Sequence, residues 1–171
     1  SDQLNEEEKE LIKKYIPSIN STSKKCTDGL KYIALGDSIT ATSNRWREQF
    51  QKKTGAKEIL CTAVAGAHLA DYPQTVLDGV NFDGYGNTVC NQVTRILNNP
   101  PAEIPDFIII SAITNDTLSY EVLNKEEEVF FNSDGYTYSD IDNVNRTCIE
   151  GAMRWIVEKL YTLYPNTKIF F

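Results

Sequence analysis

The chain is poor in the residues on which most metal and acid–base chemistry depends. Its 171 residues include one histidine, His68, and one methionine. Four cysteines, Cys26, Cys61, Cys90 and Cys148, stand far apart with no Cys-x-x-Cys pair. That pattern excludes the usual structural zinc spacings, and no metal or other cofactor is expected. An even number of cysteines allows disulfides in an exported protein; otherwise they read as four small buried hydrophobes. Lysine and arginine form no cluster, and 24 acidic against 17 basic residues give a net charge of -7, so nucleic acid is not an expected partner. No apolar run reaches the roughly 20 residues of a membrane-spanning helix. No Gly-rich phosphate loop follows the first predicted strand, which weakens a nucleotide-binding reading.

What remains is ordinary globular material. A chain that is 41% hydrophobic and 24% charged at this length can bury a core without a metal or disulfide. Residues 1–29 read as an N-terminal helix, "NEEEKELIKKYIP", with a polar connector. Asn5 and Glu8 give that helix a capping-box pattern, and Pro17 ends it. Residues 30–171 read as one α/β domain. Its predicted strands are "LKYIAL", "KEILCTAVA", "DFIIISAI" and "TKIFF". Between them lie helical stretches: one through Trp46 and Phe50, one with Val89, Val93, Ile96 and Leu97 on one side, and one striped by Ile149, Met153, Ile156, Val157, Leu160 and Leu163. Strands alternating with helices predict a parallel sheet covered on both faces.

The carboxyl edge of such a sheet is where ligands bind. The first strand ends in Gly36-Asp37-Ser38, the second in Ala65-Gly66 and the third in Thr114-Asn115-Asp116. Together they supply a hydroxyl, a glycine N–H able to approach a ligand, and a side-chain amide. That set suits a nucleophile with oxyanion donors. Two longer loops, 70–86 and 119–144, leave the same edge and carry Tyr72, Phe82, Tyr85, Tyr120, Phe130, Phe131, Tyr136 and Tyr138. Aromatics of this kind suit sugar rings and acyl chains alike.

Three stretches resemble the blocks of the GDSL-type, or SGNH, hydrolases: "GDSIT", "AVAGAH" and "ITNDT". The helix and strand "GNTVCNQVTRILNNPPAEIPDFIII" also resemble those that lead into the third block, so the resemblance spans about residues 30 to 171. It implies a flavodoxin-like three-layer α/β/α sandwich with a parallel sheet. It implies a serine esterase or acylhydrolase with Ser38 as nucleophile. The oxyanion hole would consist of the Ser38 N–H, the Gly66 N–H and the Asn115 side chain. Asp37 and Asp116 match motif positions and are expected to shape the loops rather than carry protons. A small-molecule ester, on a carbohydrate or a lipid, is the expected partner, and an exported location is favoured over a cytoplasmic one.

Two departures stand against the pattern. Ile113 replaces the third-block glycine. The fourth block, Asp-x-x-His, has no match. Only His68, with Asp71 three residues on, offers a substitute for the missing base and its orienting acid. A sandwich truncated at its C-terminal end is therefore expected. The Asp and His would then lie on a segment beyond Phe171 or on a second chain. The alternative is a catalytically inactive module of the same fold that binds a glycan or an acyl ligand.

Overall fold

The computed structural model describes residues 27–42, 46–71, 88–116 and 140–171. The N-terminal helix, most of both long loops with their eight aromatics, and Cys26 lie outside them. Four parallel strands, β1 (Lys31–Gly36), β2 (Lys57–Cys61), β3 (Phe107–Ser111) and β4 (Lys168–Phe170), form one sheet in the order β2-β1-β3-β4. Among the described residues the helices are α1 (Ser38–Ala41), α2 (Trp46–Thr54), α3 (Val89–Asn98) and α4 (Ile149–Leu163), with a 3-10 turn at Ile141–Asn143. The chain goes outward from β1 to β2, then crosses back to β3. Its switch point therefore lies between β1 and β3, the arrangement of a flavodoxin-like sheet.

Alternation along the strands divides the core in two. Ile33, Leu35, Ile108 and Ile110 join the side covered by α3 and α4, where Val89, Val93, Ile96, Trp155, Ile156 and Leu160 meet them. Tyr32, Ala34 and Phe107 point to the opposite face, against Trp46 and Phe50 of α2. There Tyr32 stacks on Phe107 with ring centroids 5.4 Å apart, and Phe50 meets Tyr32 edge-on at 5.4 Å. Full burial of one such aliphatic or aromatic side chain contributes about 1.5–3 kcal/mol. The Arg47 guanidinium, 2.5 Å from the Glu58 carboxylate, and the Tyr32 hydroxyl, which donates to Glu58 at 3.1 Å, tie α2, β2 and β1 together. Burial first, and Glu58 second, raise the Tyr32 phenol far above its ordinary pKa, so it remains a donor.

Some elements are shorter or differently faced than their sequence suggests. The strand expected through Ala65 stops at Cys61, although Thr62 and Val64 still donate to Ala34 and Gly36 at 3.0 Å each. The third strand stops at Ser111 because Ile113 has φ +90°, which no strand accommodates. In α4 the buried seam uses Ala152 and Trp155, while Val157 is only half-buried. Among the described residues Cys61 and Cys90 are free thiols, and Cys90 and Cys148 are buried.

Candidate active site

Gly36 ends β1 and could not be another residue. Its φ is +148°, and a Cβ there would sit 2.0 Å from the Ser111 carbonyl oxygen of β3 and 2.9 Å from Thr40 Oγ1. The chain then turns out of the sheet. Asp37, buried, caps α1 by accepting the Ile39 N–H at 2.9 Å, and its own N–H donates to the Ser111 carbonyl at 3.2 Å. Ser38 is thus the first residue of a four-residue helix, exposed beside a buried acid. No sequence pattern announces this helix, because four residues carry no periodicity. Arg47 Nε closes the turn from behind by donating to the Thr40 carbonyl at 2.6 Å.

Gly66, exposed, has φ +77°, with open space where a Cβ would be. Among the described residues neither its N–H nor that of Ser38 donates to a protein acceptor. Asn115 Nδ2 donates to the Ala67 carbonyl at 2.8 Å, which ties the turn after β3 to the turn that holds Gly66. One amide hydrogen is spent on that bond; Nδ2 carries two. Asp116 is buried, and its carboxylate accepts the N–H of Leu69 at 2.8 Å and of Ala70 at 3.0 Å. Both motif acids accept backbone N–H groups of the segments around them. Ser38, Gly66 and Asn115 follow three parallel neighbouring strands, with Gly36 paired to Ser111 in register and bonded to Val64. They converge on one edge.

His68 and Asp71 both bond at the start of α3. The His68 carbonyl accepts the Val89 N–H at 2.8 Å, and the residue forms a parallel bridge with Thr88. Burial lowers its imidazole pKa from 6.5, with the Asp116 charge opposing. Asp71 instead accepts the Thr88 hydroxyl at 2.7 Å and faces the Arg146 guanidinium at 3.0 Å. Arg146 in turn lies 4.7 Å over the Trp155 ring. Sequence reasoning did not single out Thr88 or Arg146. It also passed over Gln92, which is fully buried in α3 and bonds both backbone polar groups of Gly36. One signal was available: Gln92 stands three residues after Val89, in the helix stripe completed by Val93 and Ile96. Ile113, in the position of the expected glycine, is an exposed β-branched residue in the left-handed region.

Among the described residues no group of His, Cys, Asp and Glu could hold a metal ion, and no helix is long and apolar enough to cross a membrane. Residues 32–146 match the family model for GDSL-like Lipase/Acylhydrolase. No curated protein matches the chain. Among solved structures, a GDSL-like lipase candidate from Bacteroides uniformis is similar, with TM-score 0.55 and 15% identity over 82% of this chain and 70% of that one. A second, from Bacteroides ovatus, has TM-score 0.55 and 16% identity over 83% of this chain and 72% of its own. At such identities the likeness is one of fold.

Proposed function

The chain belongs to the GDSL-like lipase/acylhydrolase family, and from that premise we infer that it is a serine ester hydrolase working through a Ser38 acyl-enzyme. Ser38 Oγ attacks the ester carbonyl, and the alkoxide leaves with a proton as alcohol. Water then attacks the acyl-serine and releases the carboxylic acid. The Ser38 N–H, the Gly66 N–H and the second Asn115 amide hydrogen receive the oxyanion in both tetrahedral intermediates; one such donor accounts for about 10²–10³ in kcat. The observation that carries this reading is the exposed Ser38 at the head of a turn braced on both sides, with its N–H and that of Gly66 uncommitted among the described residues.

The substrate in this reading is a small ester, a short acyl group on a carbohydrate or a lipid. The proton acceptor for Ser38 is an Asp/His pair on a further segment or second chain. Support comes from Asp71, whose carboxylate is engaged by Thr88 and Arg146. The same observation favours the second reading, a hydrolase fold that binds an acyl or glycan ligand without turning it over. Hydrolysis of p-nitrophenyl acetate by the natural full-length protein separates the two. Turnover abolished by Ser38→Ala is expected; turnover unchanged in that variant refutes the esterase.

A further inference from the structure

Gln92 is an expensive residue to bury. It sits in the apolar stripe of α3, completely enclosed, where an amide without partners would cost several hydrogen bonds' worth of solvation. Both its ends are satisfied, and by the same residue. The Gly36 N–H donates to Gln92 Oε1 at 2.9 Å, and Gln92 Nε2 donates to the Gly36 carbonyl at 2.8 Å. A side chain 56 positions away in sequence thus grips the last strand residue before Asp37 and Ser38 like a strand partner. Gly36 is also where the backbone leaves the regular ladder, with φ +148° and no room for a Cβ. The orientation of that residue sets the direction in which the Ser38 N–H emerges.

We propose that Gln92 is a positioning residue for the nucleophile turn, fixing the Ser38 oxyanion donor through its double bond to Gly36. The inference rests on the esterase reading of Ser38. A simple filler of the α3 seam would be a leucine of similar size, which could pack but could not orient a peptide. Misplacement of a reacting group by about 1 Å costs on the order of 10²-fold in rate.

The test uses the natural full-length protein and p-nitrophenyl acetate, with folding checked by circular dichroism at the assay temperature. Gln92→Leu is expected to lower kcat about 10- to 100-fold while KM stays within about two-fold. Gln92→Glu is the conservative rescue. A neutral carboxylic acid can accept from one Gly36 group and donate to the other; a carboxylate cannot donate. The kcat of Gln92→Glu relative to wild type at the same pH should therefore be highest at acidic pH and fall as the glutamate ionises. Folded Gln92→Leu with wild-type kcat, or a Gln92→Glu ratio that is flat in pH, overturns the inference while leaving Ser38 as nucleophile. Wild-type hydrolysis that survives Ser38→Ala removes the esterase reading first, and the role of Gln92 with it.

Discussion

Asn115 reaches across the end of the sheet to Ala67, its amide nitrogen 2.8 Å from the carbonyl oxygen. One side chain therefore joins the turn after β3 to the turn after β2, and its second amide hydrogen is the one the esterase reading assigns to the oxyanion. Asn115→Ala should lose both roles. Stability is expected to fall by about 1 kcal/mol, and kcat by about 10²–10³. Urea unfolding and steady-state kinetics check the two separately.

Gly36→Ala should be among the most damaging single changes in the chain. A methyl group would approach the Ser111 carbonyl oxygen to 2.0 Å at a backbone φ of +148°. Clash and backbone strain together are expected to cost about 3 kcal/mol or more. Loss of soluble protein, or an unfolding midpoint far below wild type, is the outcome to look for.

Ile113 offers the opposite case. An isoleucine at φ +90° stores about 1–3 kcal/mol of backbone strain, and glycine would relieve it at an unfolded-state entropy cost of about 0.5–1 kcal/mol. Ile113→Gly is expected to raise the unfolding free energy by about 1 kcal/mol, measured by denaturant titration. A destabilised variant would mean that the exposed side chain makes contacts worth more than the strain.

The half-buried His68 gives a pH dependence of definite sign. Its folded-state pKa lies below 6.5, so the unfolded chain takes up the proton first. The stabilisation is present above pH about 6.5 and is lost as pH falls through the lower folded value. His68→Gln should flatten that part of the stability curve. Thermal melts of both proteins between pH 4 and 8 test it.

Much of this architecture can be read from the residues, for reasons that differ by element. Strand β1 is legible because Tyr32 to Leu35 are apolar on both faces, as a central parallel strand must be. The residues at the three strand ends are legible because parallel topology sends them to one edge. The pattern runs β2 on past Cys61 because Thr62 to Val64 are as suited to a strand as the residues before them, yet only the Thr62 and Val64 backbone N–H groups follow β1. The α4 stripe is legible in Ile149, Met153, Ile156, Leu160 and Leu163, which all join or pack on the core; Trp155, with Arg146 over its ring, is buried where the pattern points to Val157. Gln92 is legible as a polar residue in the α3 stripe, but its partner is not: that is the Gly36 backbone in another element, 56 positions away. Spacing alone suggests Asp71 as an orienting acid for His68; its bonds to Thr88 and Arg146 depend on residues far along the chain and are not legible in that spacing.

The most direct measurement is the intact mass of the natural full-length protein after treatment with a fluorophosphonate, followed by peptide mapping. A single adduct on the peptide that carries Ser38, absent from Ser38→Ala, is expected of an activated serine nucleophile at the end of β1. No adduct from a folded protein, or an adduct on another residue that persists in Ser38→Ala, would contradict it.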